Sequence, residues 1–172
     1  MRNKPIVVIT HHTGGTDANP MADTSHHTVQ IVNEAHKQRW PTFISSLGWH
    51  VGYHYFIDRD GNIVKTREED EEGAHCIGMN RSSIGVCFAG NFDATLPTQR
   101  QMEVWGRLYA DIQRRYPNIP THPHRKYATK SCHGRRLSDD YFAQLNQRTA
   151  LLERIRQLRL QLASLLTNRR MR

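Results

Sequence analysis

His11 and His12 stand at the end of a short apolar run, His124 follows a second short run, and Cys132 lies eight residues beyond His124. Strand ends and the loops after them are where rigid backbone can present ligands to a cleft. Two imidazoles and one thiolate suit Zn2+, and a three-ligand set leaves the fourth tetrahedral position to water. Zinc brings the pKa of that water to about 7 and polarises a carbonyl, which is the chemistry of hydrolysis. The chain holds 11 His, so many such triples can be drawn. Spacing alone leaves zinc ligands and ordinary surface or core histidines both open. His122 and His133 flank the candidates and could stand in for one of them.

The elements that would position these groups can be read from the hydrophobic pattern. Residues 5–10 are apolar and β-branched, as in a buried strand. Residues 13–23 are rich in Gly, Thr, Asp, Asn and Pro and read as a loop. Thr24 or Ser25 is placed to cap a helix running to about residue 39. Residues 51–57 alternate as a strand, 58–62 make a turn around Asp60-Gly61, and 63–66 return as its hairpin partner. Residues 83–89 form another apolar strand. Residues 98–116 have helical spacing through Met102, Trp105, Leu108 and Ile112, and Pro117 stops the helix. A short strand is expected at 119–121. A last helix is expected from about Ser138, with Asp139 and Asp140 in its first turn. Strands and helices alternate, so the class is α/β around a small mixed sheet.

The 172 residues suffice for one core, and three Cys do not suggest a disulfide scaffold. Mean hydropathy is −0.71. No apolar run approaches the roughly 18–20 residues of a membrane span. The first residues lack the apolar stretch and cleavage site of a signal peptide, so synthesis in the host cytoplasm is expected. The net charge of +8 is uneven. Residues 146–172 hold seven Arg, no Lys and one acid, Glu153, a net of +6. The first 145 residues are left with +2. A nearly neutral body without base-stacking motifs is not expected to bind nucleic acid.

Five blocks follow one another in order: 9–13 with His11-His12, 51–61 with Gly52-Tyr53-His54, 73–80 from Gly73 to Asn80, 83–92, and His124-Arg125 with Lys130-Ser131-Cys132. Together they closely resemble the zinc-dependent N-acetylmuramoyl-L-alanine amidases, the superfamily of phage amidase lysozymes and peptidoglycan recognition proteins. The resemblance covers about residues 5–145. It implies a central mixed β-sheet flanked by helices, with an open groove over the metal. It implies His11, His124 and Cys132 as zinc ligands and Tyr53 as a catalytic residue beside them. Lys130 matches the lysine of the phage enzymes, where it would stabilise an oxyanion. His75 and Asn80 fall on positions lining the substrate groove. The implied reaction is water attack on the amide joining the muramic acid lactyl group to L-Ala. The implied role is that of a phage or prophage endolysin acting on the cell wall after release. The rival is a peptidoglycan-binding module without catalysis; some relatives lose the cysteine and keep the groove, whereas Cys132 is present here.

Other residues receive plainer readings. His12 is expected to be structural, and His54 to pack or hydrogen-bond. His26, His27, His36 and His50 are expected at the surface or groove rim. Cys76 and Cys87 are expected to be buried. Trp40 and Trp105 are expected in the core, and Trp49, beside the Gly48 turn, is the candidate for glycan stacking.

The resemblance ends near residue 145, which divides the chain into a catalytic domain, 1–145, and a basic amphipathic helical extension, 146–172. Leu151, Ile155, Leu158, Leu162 and Leu165 recur at coiled-coil spacing, and Leu152 and Leu166 widen the stripe. Three readings compete: the stripe packs on the body, it pairs with another chain, or it lies on an anionic membrane or lipopolysaccharide.

Overall fold

The computed structural model describes residues 2–170, apart from the side chains of 149, 150, 153 and 164–170. Its apolar runs pair into one five-stranded sheet. The elements in chain order are β1 (Val7–His12), α1 (Val29–Arg39), β2 (Tyr55–Ile57), β3 (Ile63–Lys65), β4 (Ser83–Phe88), α2 (Gln99–Arg115), β5 (Thr121–Pro123), a 3-10 turn (His124–Lys126) and α3 (Tyr141–Arg170). The sheet order is β3-β2-β4-β1-β5. Among the described residues only β2 and β3 pair antiparallel; β1 runs parallel to both β4 and β5. The α/β class and the mixed sheet are as expected.

Successive strand residues point to opposite faces. On one face Val8, Ile57, Ile84, Val86 and Phe88 meet Trp105, Leu108 and Ile112 of α2 and Phe142 of α3. The other face carries two smaller clusters. Phe56 and Cys87 pack with Val29 and Val32 of α1, and Val7 and Ile9 pack with Cys76, Met79 and Tyr127. Between these clusters the second face is left open above the end of β1, and the groove lies there.

Several boundaries differ from the sequence expectation, each for a local reason. Helix α1 is capped by Thr28, whose hydroxyl accepts from Ile31 N, not by Thr24 or Ser25. Thr24 is buried instead, and its hydroxyl donates to Gly14 O at 2.5 Å, tying down the loop after β1. The strand expected at 51–57 starts only at Tyr55. Before it, Gly52 N donates to His36 Nδ1 and Gly52 O accepts from Ala74 N, so this backbone is held by α1 and the 73–80 loop. The last short strand is at 121–123, not 119–121, because the Ile119 carbonyl accepts from the Tyr109 hydroxyl. Helix α2 begins on a capping box between Thr98 and Gln101 and ends at Arg115, as Pro117 requires. Helix α3 begins at Tyr141, three residues later than expected, so Asp139 and Asp140 precede it.

Among the described side chains, only those of the first turns of α3 join the core. The Phe142 ring stacks on Phe88 at 4.8 Å, and Tyr141 and Leu145 pack beside it. Every described side chain from 151 to 163 is exposed. Leu151, Leu152, Ile155, Leu158 and Leu162 are 37–61% exposed, so this part of the stripe does not pack on the body. The side chains of Leu165 and Leu166 lie outside the described residues. The two halves of the helix should therefore differ sharply on truncation. Phe142→Ala is expected to cost about 3–5 kcal/mol in denaturant unfolding, and Leu158→Ala less than about 0.5 kcal/mol.

Candidate metal centre and groove

His11 and His12 are neighbours in β1 and so serve opposite faces of the sheet. His12 lies on the helix-covered face. Its Nδ1 accepts from Phe92 N at 2.8 Å, and burial lowers its pKa to about 4. It is a neutral structural histidine, as expected. His11 opens on the groove face, where its ring lies 4.5 Å from that of His124 and its Nδ1 is 3.7 Å from Cys132 Sγ. One ligand atom from each of His11, His124 and Cys132 falls within 4.8 Å of the others.

The eight-residue step from His124 to Cys132 closes because Arg125 clamps it. Arg125 N donates to Cys132 O at 2.5 Å, and its guanidinium donates to Gly134 O, Leu137 O and the Asp139 carboxylate. Asp93 holds the far side, accepting from Ser131 Oγ at 2.6 Å and Arg135 N at 2.7 Å. The flanking histidines are engaged elsewhere. His133 is buried on the opposite face between Thr10 Oγ1, at 2.6 Å, and Ser138 O. His122 Nδ1 pairs with the Tyr127 hydroxyl at 2.6 Å.

Burial sets the charge state of the three groups. Burial, then the neighbouring His75 and His124, hold His11 well below the usual histidine range; burial and Lys130 lower His124. Both imidazoles are thus neutral at neutral pH, the form that ligates metal. Burial pushes the Cys132 thiol up to about 12. A divalent cation is the partner that would make that thiol a thiolate. Ligands about 2.1 Å and 2.3 Å from one tetrahedral ion would sit about 3.6 Å apart, close to the 3.7 Å between His11 Nδ1 and Cys132 Sγ. The donor set and its spacing fit zinc.

His75 does more than line the groove. Its Nδ1 lies 3.0 Å from His11 Nε2, on the ring edge away from Cys132, so it orients the His11 imidazole. A Cβ at Gly85 would come within 2.6 Å of the His75 ring, so glycine is needed for the ring to lie against the sheet. Asn80 folds the loop that carries His75. Its Oδ1 accepts from both His75 N and Cys76 N.

The groove has a volume of about 840 Å³, and His11, Tyr53, His75, Asn80, Lys130 and Cys132 all line it. The Tyr53 ring is 5.0 Å from His11, and burial raises its hydroxyl pKa well above the usual value, keeping it a neutral phenol. Trp49 does not line the groove; it packs on the cluster between α1 and β2. The tryptophan at the groove is Trp40, with His36 and Arg39 beside it. His36 and Trp40 are four residues apart, one helical turn, and that spacing was the available signal for a shared face.

A profile of the family "N-acetylmuramoyl-L-alanine amidase" matches residues 1–136. The chain is 32% identical over 110 residues to the endolysin of Enterobacteria phage K11 and 33% identical over 111 residues to that of Escherichia phage T7. Each alignment covers 60% of this chain and 68% of the relative. Among solved structures, the N-acetylmuramoyl-L-alanine amidase LysC from Clostridium intestinale URNW superposes with a TM-score of 0.67 at 26% identity, covering 85% of both chains.

Removing the group that orients His11 should loosen metal without removing a ligand. His75→Ala is expected to weaken binding of a Zn2+ or Co2+ probe by about 10–100-fold, measured by chelator competition. Unchanged affinity would mean that His75 does not support the centre.

Proposed function

The chain belongs to the N-acetylmuramoyl-L-alanine amidase family, and from that premise we propose how its own residues carry the reaction. The protein is a peptidoglycan hydrolase. It cleaves the amide between the lactyl group of N-acetylmuramic acid and L-Ala of the stem peptide, in the role of a phage endolysin acting on the cell wall.

His11, His124 and Cys132 are the residues that would hold Zn2+. When bound there, the ion supplies a Lewis acid and a water of lowered pKa. The convergence of these three donors beneath the groove is the observation that carries the assignment. His75 keeps the His11 ring in its ligating orientation. Tyr53 presents a neutral hydroxyl beside His11. Its part is to orient the attacking water by hydrogen bonding rather than to act as a phenolate base. The Lys130 ammonium, lining the same groove, stabilises the negative charge that develops on the carbonyl oxygen. Asn80 shapes the wall on which the stem peptide lies.

Cys132→Ser is expected to lose metal and to abolish release of stem peptides from purified cell walls. Chelator treatment of the unaltered protein should do the same, with activity restored by Zn2+. Mass analysis should find a free L-Ala amino terminus on the released stems. Full lytic activity in metal-free Cys132→Ser protein would overturn the zinc assignment.

Residues 146–172 form, in this reading, an extension with a separate task from the catalytic unit 1–145. It lays the face bearing Leu151, Ile155, Leu158 and Leu162 on an anionic envelope surface, membrane or lipopolysaccharide. Support comes from the exposure of these residues and from seven arginines against one acid. No helix among the described residues is long and apolar enough to cross a membrane, so the contact would be interfacial. The full chain should sediment with phosphatidylglycerol vesicles but not phosphatidylcholine vesicles, and Ile155→Asp/Leu158→Asp should abolish this. Equal binding to both vesicle types, or to neither, would overturn it.

A further inference from the structure

The groove contains a cationic feature that the reaction does not use. Arg39 is the last residue of α1, and its exposed side chain lines the same cavity as His11 and Tyr53. Its guanidinium carbon lies 4.8 Å from the centroid of the Trp40 ring. Trp40 in turn meets the His36 ring edge-on at 5.1 Å, and Trp40 N donates to His36 O at 2.7 Å. His36 is fixed from below, its Nδ1 accepting from Gly52 N at 2.9 Å, and its ring lies 5.5 Å from that of Tyr53. Tyr53, His36, Trp40 and Arg39 thus form a continuous wall leading away from the metal ligands.

Arg39 is held by stacking but its donors are unspent. It makes no ion pair among the described residues, whereas Arg115 and Arg125 are each bound to a carboxylate. Among the groove-lining residues Asp17 is the only carboxylate, against Arg39 and Lys130. A stacked guanidinium retains its in-plane donors, and their fork geometry matches a carboxylate. Stem peptides carry free carboxylates, on the second residue and on many third residues, which cell walls either leave bare or amidate.

We propose that Arg39, laid on Trp40 at the α1 end of the groove, is a specificity residue that pairs with one free carboxylate of the stem peptide. This rests on the amidase reading above and adds to it a choice among walls of different amidation. Arg39 takes no part in bond cleavage, so its loss should raise KM and leave kcat nearly unchanged.

The test uses three soluble muropeptides: one with both carboxylates free, one amidated on the second residue, and one amidated on the third. The full chain should favour the free form over one of the amidated forms by about 10–100-fold in kcat/KM, the span of a hydrogen-bonded charge pair. Arg39→Gln should erase that preference through KM, and Arg39→Lys should restore part of it. The amidated form that is disfavoured identifies the carboxylate. An equal loss on all three muropeptides, or no loss on any, would overturn the proposal. Failure of the unaltered protein to release stems with a free L-Ala amino terminus would instead overturn the amidase reading.

Discussion

The alternation of side chains along β1 is the constraint on which the rest of the site depends. His11 and His12 are chemically identical neighbours, yet period two sends one to the groove and the other into the sealed core. The strand cannot rotate between these states. It is paired on both sides, to β4 across six residues and to β5 across three. A register slip of one residue would put His12 at the groove and take Val8 and Thr10 off the helix-covered face. The same pairing that buries Val8 and Ile9 completely therefore selects which histidine faces the groove.

The sheet divides labour between its faces. Helix α2 and the first turns of α3 seal one face with a continuous aromatic and aliphatic cluster. The other face is covered only in part, by α1 on one side and the 73–80 loop on the other. The gap between them is the groove. Stability is concentrated where no chemistry occurs, which lets the open face hold buried polar groups at a cost the core can offset.

Those polar groups converge on one point beneath the groove. His11 is wedged between His75 and Cys132, with one ring nitrogen for each. Burial keeps its imidazole and that of His124 neutral and keeps the Cys132 thiol protonated. Arg125 and Asp93, which grip the loop from two sides, hold the array in place from outside the groove. Neither residue needs to touch substrate to determine where Cys132 stands.

The chain alone specified the α/β class, most element positions and the ordered blocks carrying His11, Tyr53, His75, Lys130 and Cys132, because hydrophobic period and short motifs are local properties. Capping was misleading at Thr24, whose hydroxyl is taken by Gly14 across a loop, and the capping box at Thr98 emerged only in the folded chain. Tertiary structure alone decided that His75 orients His11, since 64 residues separate them in the chain. It also decided that Trp40 reaches the groove while Trp49 packs inside. Both tryptophans lie near the same turn of chain, and only the way α1 and the following segment fold over β2 separates their surroundings. Local sequence carries residue type and period; which distant surface a side chain meets depends on packing across the sheet, and that is written in no single stretch of residues.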